Sequence, residues 1–187
     1  ADGTWAAASS LRWDNDNNQS TNNSHGLVWV KDFSSSSFYT ANSYLLRGSL
    51  TGDTEENGQE FGQGLAISAD GDFIVIGAPG TTVNSISNHG SVYVFKLSTG
   101  EFLYKIECPT DHTGETGGVR WGKHIAASGD YIAIADKRYD SSTGAVHIFD
   151  ATDGTELRRL DPPSGLYNPD NVDIQFGIKG LSMSGSR

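Results

Sequence analysis

Short runs of β-branched and aromatic residues recur along the chain, each bounded by Gly, Asp, Ser or Pro. The clearest are Phe73–Ile76, Val92–Phe95, Tyr131–Ile134 and Val146–Phe149. Residues of these types favour strands, and the residues between the runs favour turns. No long stretch spaces its apolar residues at three and four, so the pattern predicts an all-β chain with very little helix.

An internal repeat organises these runs. An aromatic residue followed by glycine occurs at Phe61-Gly62, Trp121-Gly122 and Phe176-Gly177, so the pairs are spaced by 60 and then 55 residues. Each full unit contains four short predicted strands, and the fourth strands cover 102–106 and 156–160. Recurrence of such a unit at a period above about 50 residues predicts the antiparallel blades of a β-propeller.

The repeat divides the single predicted propeller region into parts. Residues 61–120 and 121–175 are two blades, and 176–187 supplies the first strand of a further or closing blade. Residues 1–60 form a degenerate blade that lacks its first strand, because Ala1–Ser10 aligns with the second-strand segment Ala69–Ala78. Propellers typically need four to eight blades, and about three are present. We therefore expect either part of a larger propeller or a protomer whose open edges another chain pairs.

The segment "FGQGLAISADGDFIVIGAP", followed by "GSVYVF", resembles the FG-GAP repeat of β-propellers, a family that includes integrin α-subunit head domains. The second full unit departs from the motif, with Trp121 for Phe and Ala135-Asp136 in place of Gly-Ala-Pro. The resemblance implies a non-catalytic extracellular or cell-surface scaffold, with roles in adhesion or assembly. The matching structural positions are Phe61, Gly62, Gly77, Ala78, Pro79, Trp121, Gly122, Phe176 and Gly177.

Composition narrows the partners. The 187 residues carry 13 basic and 23 acidic side chains, a net charge of −10, which argues against nucleic acid. No apolar run is long enough for a membrane helix, so we expect a soluble chain without a membrane span. Cys108 is the single cysteine, which excludes an intrachain disulfide and a Cys-rich zinc site. We expect Cys108 to be buried and inert. The expected partners are other protein subunits, further blades or glycans.

Calcium has one candidate site. The turns at Asp70-Gly71 and Gly129-Asp130 are too short to surround the ion, so the calcium loop of the integrin-like blades is not expected here. Asp14, Asp16 and Asn18 alternate as in cation loops, although a solvated polar loop explains them as well. Two sequons make Asn18 and Asn22 candidate glycosylation sites of an exported glycoprotein.

No catalytic or cofactor-binding residue is predicted. The five histidines are dispersed, and His25 and His89 occupy equivalent positions before the glycine of a third strand, which indicates a repeated structural role. The favoured function is a scaffold that binds proteins or glycans through its loops and blade edges. The alternative is an enzyme domain, because Val146–Leu160 is similar to blade strands of quinoprotein-type dehydrogenases.

Overall fold

The computed structural model describes residues 4–12, 24–34, 43–53, 57–68, 70, 72–108, 118–138, 143–163, 176–177 and 180–184. In these residues eleven strands form three antiparallel sheets. One turn of 3-10 helix, Gly48–Thr51, is the single helical element of the described part. The prediction of an all-β fold is confirmed, and the described residues contain very little helix, as predicted.

Within each sheet the strands follow one another in sequence order. The first sheet contains β1 (Trp5–Ser10), β2 (Leu27–Asp32) and β3 (Ser43–Leu46). The second contains β4 (Gly64–Ile67), β5 (Phe73–Ala78), β6 (Ser91–Lys96) and β7 (Phe102–Glu107). The third contains β8 (Ile125–Ser128), β9 (Tyr131–Asp136), β10 (Ala145–Asp150) and β11 (Glu156–Leu160).

The hairpin between third and fourth strands is built in the same way in the second and third sheets. Gly100 (φ 72°) and Gly154 (φ 77°) adopt the left-handed conformation that glycine tolerates best. Their N–H groups donate to the carbonyl oxygens of Lys96 and Asp150, at 2.8 and 2.9 Å. Each hairpin also contains an irregularity in strand register, between Val94 and Phe95 in the second sheet and between Ile148 and Phe149 in the third. The repeat therefore extends to turn geometry.

The hydrophobic core lies between the sheets. One buried cluster joins the first and second sheets and includes Val28, Phe61 and Phe95. Another joins the second and third sheets and includes Val94, Trp121 and Phe149. Because the second sheet is covered on both faces, every residue of β5 is buried, which explains its continuous apolar run.

The sheets approach one another along the strand that comes first in chain order in each sheet. β4 lies beside β8, and β1 lies beside β4. In each sheet a residue near the end of the second strand pairs with a valine of the third: Ser9 with Val28, Gly77 with Val92, and Ala135 with Val146. This register supports the alignment of the degenerate first unit with the others. The three sheets are β-propeller blades.

Candidate functional site

A backbone hydrogen bond joins each unit to the aromatic-glycine pair of the next. The N–H of Phe61 donates to the carbonyl oxygen of His25, and the N–H of Trp121 donates to that of His89, both at 2.9 Å. The N–H of Phe176 donates to the carbonyl oxygen of Thr143, also at 2.9 Å. We call this contact the junction hydrogen bond. It requires no particular side chain at the acceptor, since His and Thr both occur there.

Glycine is required on one side of this contact. A Cβ on Gly26 would lie 2.2 Å from the carbonyl oxygen of Phe61, and one on Gly90 would lie 2.3 Å from that of Trp121. Real Cβ atoms do not approach backbone that closely, and both glycines have positive φ, at 83° and 97°. The glycines before β2 and β6 therefore let the next unit approach.

The glycine of the aromatic-glycine pair packs against the preceding unit. Cβ atoms built on Gly62, Gly122 and Gly177 would lie 2.9, 2.8 and 2.6 Å from a methyl of Val28, Val92 and Val146, respectively. These valines are the equivalent third-strand residues of the three sheets. The same packing therefore occurs at all three junctions, and the aromatic side chains Phe61 and Trp121 are fully buried beside it.

A second contact between sheets comes from tyrosines that the sequence pattern did not single out. The Tyr44 hydroxyl donates to the carbonyl oxygen of Leu97, and the Tyr104 hydroxyl donates to that of Ala151. The two rings also lie against Gly100 and Gly154, the turn glycines of the next sheet. Burial raises the pKa of Tyr44 to about 12 and also raises the pKa of Tyr104, where Asp150 and Asp153 add to the effect. The two tyrosines occupy equivalent positions in the fourth strands of their units, and this recurrence is the sequence signal that could have identified the contact.

Basic side chains gather where the third sheet begins. Arg120 and Lys123 lie at the entrance to β8, and Lys137 and Arg138 follow β9. The two segments adjoin because β8 and β9 pair, and the N–H of Ala135 donates to the His124 carbonyl oxygen at 3.0 Å. We define the basic cluster as Arg120, Lys123, His124, Lys137 and Arg138. Each of these residues is partly exposed.

The cluster residues are close enough to influence one another's protonation. The pKa of Lys137 is lowered, first by partial burial and then by the positive charges of Arg138, Lys123 and Arg120. The pKa of His124 is lowered by partial burial and by Lys123 and Lys137. Crowded like charges disfavour the protonated forms, and a bound anion would relieve this repulsion. The cluster is thus electrostatically suited to an anionic ligand.

Two carboxylates hold the cluster in place. Glu60 forms an ion pair with Arg120, whose guanidinium also donates to Gln63 Oε1 at 3.3 Å. Asp136 is buried, and its Oδ1 accepts a hydrogen bond from the N–H of Arg138 at 3.0 Å. Glu60 offsets part of the positive charge of Arg120. The lysines Lys123 and Lys137 therefore dominate the ability of the cluster to bind an anion.

A protein-family model described as "FG-GAP repeat" matches residues 47–95. These residues run from just before the 3-10 turn into β6, and they contain Phe61-Gly62 and Gly77-Ala78-Pro79. Residues 47–95 are an FG-GAP repeat. No curated protein matches the chain. Among solved structures, the chain is similar to one titled "Structure of Dos1 propeller", with 13% sequence identity and a TM-score of 0.40. That alignment covers 75% of this chain and 32% of the other, so the chain spans about a third of that propeller.

The FG-GAP residues meet across one junction. A Cβ on Gly77 would lie 1.8 Å from the carbonyl oxygen of Gly122, so the second strand of one unit and the aromatic-glycine pair of the next nearly touch. Ala78 and Pro79 are buried beside this contact. At the next junction Ala135 replaces Gly77, and its Cβ lies 3.2 Å from a Cβ built on Gly177. The FG-GAP glycines thus serve packing between blades.

The buried histidines have structural positions beside the FG-GAP repeat. His25 and His89 are buried at equivalent positions, and their backbone carbonyl oxygens accept the junction hydrogen bonds. His147 in β10 packs its ring edge-to-face on Trp121, with centroids 5.2 Å apart. Its Nδ1 donates to the Glu156 carboxylate at 2.7 Å. Cys108 is buried, as expected.

Several predicted positions lie outside the described residues: Asp14, Asp16, Asn18 and Asn22. The calcium and glycosylation interpretations of these residues stay predictions. In the described part of the chain, no group of three or more His, Cys, Asp or Glu side chains is arranged to hold a metal ion. The described residues also contain no helix with the length and apolarity needed to cross a membrane.

Proposed function

We propose that this chain is a non-catalytic scaffold of the extracellular space or cell surface, where it binds protein or glycan partners. The observation that supports this best is the basic cluster, which concentrates positive charge on a chain of net charge −10. Its lysines are partly exposed, and they flank the paired strands β8 and β9, with Lys123 before β8 and Lys137 after β9. Binding sites of scaffold proteins commonly consist of exposed groups supported by rigid elements.

The ligand of the basic cluster is an acidic glycan that presents carboxylates. Lysines bind such groups as point charges without a fixed geometry, which suits a flexible polymer with repeated charges. A charge-assisted hydrogen bond contributes about 1.5 to 3 kcal/mol. Because the sites are partly exposed, binding weakens as salt increases.

The test is calorimetric titration with polygalacturonate, with neutral dextran as the control polymer. The double substitution Lys123→Gln and Lys137→Gln lowers the affinity at least about tenfold, since tenfold corresponds to about 1.4 kcal/mol. Lys96→Gln is the matched control, because Lys96 is exposed and lies at the end of β6, outside the cluster. Equal binding by all three proteins, or equal binding of dextran, contradicts the proposal. Binding of a polyglutamate peptide in place of polygalacturonate would assign the cluster to an acidic protein.

Two further measurements address the rest of the proposal. A scaffold leaves its ligand unchanged, so no new reducing ends are formed when polygalacturonate is incubated with the protein. An extracellular protein from a eukaryotic secretory pathway carries glycans at Asn18 or Asn22, and enzymatic deglycosylation then lowers its mass. Release of reducing ends contradicts the non-catalytic part of the proposal. An unchanged mass contradicts the predicted glycosylation.

A further inference from the structure

The loop between β5 and β6 contains an ordered hairpin. Val83 N–H donates to the carbonyl oxygen of Ile86 at 3.2 Å, and Ile86 N–H donates to that of Val83 at 2.9 Å. The residues between them, Asn84 (φ 52°) and Ser85 (φ 66°), both have positive φ, as in the type I′ turns of tight hairpins. We call residues 83–88 the polar hairpin. Its backbone is held by its own hydrogen bonds.

Buried contacts hold the base of the polar hairpin. The Thr81 hydroxyl donates to the carbonyl oxygen of Ala78 at 3.0 Å, and Gly90 N–H donates to that of Thr81, also at 3.0 Å. Val83 is 4% exposed, so its side chain anchors the hairpin in the protein. Side chains on such a support are already in place, which lowers the entropy cost of binding a ligand.

The polar hairpin presents amide and hydroxyl groups to solvent. Asn84, Ser85, Ser87 and Asn88 are exposed, and Ile86 is partly buried. An asparagine amide offers both an acceptor and a donor, and a serine hydroxyl can donate and accept. The hairpin sequence contains no ionisable side chain. These neutral hydrogen-bonding groups suit the hydroxyls of a sugar better than they suit an ion.

The polar hairpin adjoins the basic cluster through the main chain. Arg120 N–H donates to the carbonyl oxygen of Asn88 at 3.0 Å, and Lys123 N–H donates to that of Arg120 at 3.2 Å. The hairpin follows β5, just as Lys137 follows the equivalent strand β9, so both lie at the same end of neighbouring sheets. The neutral and the positively charged groups therefore form one continuous surface.

The preceding junction has the same backbone geometry without the positive charge. Glu60 N–H donates to the carbonyl oxygen of Ser24 at 3.1 Å, and Glu60 and Arg120 have nearly the same φ, 56° and 58°. Relative to the aromatic-glycine pairs, Glu60 and Gln63 occupy the positions of Arg120 and Lys123. The junction thus forms without either basic side chain, which favours a binding role for the charge beside the hairpin.

We propose that the basic cluster and the polar hairpin form one saccharide-binding surface. Lys123 and Lys137 bind carboxylates of an acidic polysaccharide, while Asn84 and Asn88 bind hydroxyls of the same polymer. The inference rests on the proposed function and names the feature that separates an acidic glycan from an acidic peptide. A uronate unit carries hydroxyls beside its carboxylate, whereas polyglutamate carries carboxylates without hydroxyls. Because the asparagines are exposed, each hydrogen bond adds modestly to affinity, and selectivity requires both.

The test pairs a change in the protein with a change in the ligand. The protein variant combines Asn84→Gly with Asn88→Gly, since glycine tolerates the positive φ of both positions and lacks the amides. The ligand variant is O-acetylated polygalacturonate, in which esters replace hydroxyls while the carboxylates remain. In calorimetric titration, wild-type protein should bind the acetylated polymer about fivefold more weakly than polygalacturonate. The double variant should bind both polymers equally.

Two controls accompany this comparison. Ser98→Gly is the matched protein control, because Ser98 is exposed in the turn between β6 and β7, at the end of β6 opposite the polar hairpin. This variant should keep the wild-type preference for polygalacturonate over the acetylated polymer. Polyglutamate is the ligand control, and its affinity should be the same for wild type and the double glycine variant, because the peptide has no hydroxyls.

The outcomes separate this inference from the proposed function. If the double glycine variant keeps the wild-type preference for polygalacturonate, the role of the polar hairpin is overturned while the lysine site stands. If that variant also loses affinity for polyglutamate, the substitutions act through the basic cluster, and the role of the hydroxyls is overturned. If Lys123→Gln with Lys137→Gln leaves binding of polygalacturonate unchanged, the proposed function fails and the inference falls with it.

Discussion

The hydroxyl of Tyr104 donates a hydrogen bond to the carbonyl oxygen of Ala151 in the next sheet, and Tyr44 makes the equivalent bond to Leu97. Both tyrosines belong to fourth strands, whereas the junction hydrogen bonds lie at the start of the next unit. Each pair of sheets is therefore joined at two separate places. These hydrogen bonds add to the buried clusters that already pack the sheets against one another.

Replacing Tyr104 by Phe should lower the free energy of unfolding by about 1 to 2 kcal/mol. The substitution removes one hydrogen bond and leaves the buried carbonyl oxygen of Ala151 without this donor. Urea unfolding followed by circular dichroism measures the change. Tyr131→Phe is the control, because Tyr131 is 49% exposed, and its substitution should change stability by less than about 0.5 kcal/mol. Equal effects of the two substitutions would contradict the role of Tyr104.

Tyr44 should make stability decrease in alkaline solution. Its pKa is raised to about 12 in the folded protein, so the unfolded chain loses this proton first as pH rises above about 10. The contribution is fully present below pH 10 and is lost as pH rises through the folded value. Between about pH 9 and pH 12, wild-type protein should therefore lose more stability than Tyr44→Phe. Parallel pH profiles of the two proteins would show that Tyr44 is not protected.

Gly90→Ala should be among the most damaging single substitutions, at about 3 to 5 kcal/mol. The new Cβ would lie 2.3 Å from the Trp121 carbonyl oxygen, and φ is +97°, so steric overlap adds to backbone strain. Gly129→Ala is the matched control, since φ is +52° and no atom lies within 4 Å of its Cβ. That change should cost about 1 to 2 kcal/mol. Thermal unfolding of both variants distinguishes overlap from backbone conformation alone.

His124 should reduce stability in mildly acidic solution. Its pKa is lowered in the folded protein by partial burial and by Lys123 and Lys137, so the unfolded chain binds this proton more readily. Stability therefore falls as pH decreases from about 6.5 towards the lower folded value. Unfolding of His124→Gln at a series of pH values should show a smaller decrease over that interval. A steeper decrease in the variant would reverse the assigned sign.

Much of the fold was predictable because strand composition and the aromatic-glycine spacing report local requirements. Runs such as Phe73–Ile76 predicted strands that the structure contains, and Gly26 marked the third strand of a unit whose other signals are weak. The contacts of Tyr44 and Tyr104 were not predictable, because their partners lie 53 and 47 residues away in the neighbouring sheet. A single sequence gives the type of these residues but not the surface they face.

The basic cluster could not be predicted from the sequence for a related reason. Arg120 and Lys123 are separated from Lys137 and Arg138 by a complete hairpin, and the overall charge of −10 indicates an acidic surface. Only the pairing of β8 with β9 brings the two segments together. Net charge argues against a broad basic surface, whereas the local arrangement of these five residues depends on the strand register.

The junction hydrogen bond joins main-chain atoms. The close approach of the two backbones around it is possible mainly because glycine lacks a side chain. A duplicated copy of residues 61–120 inserted after Arg120 would thus meet a compatible neighbour on both sides. Gene duplication can lengthen such an array by whole units without inventing a new interface. The aromatic position can then vary, as Trp121 at the position equivalent to Phe61 illustrates, whereas Gly26 and Gly90 leave no room for a side chain.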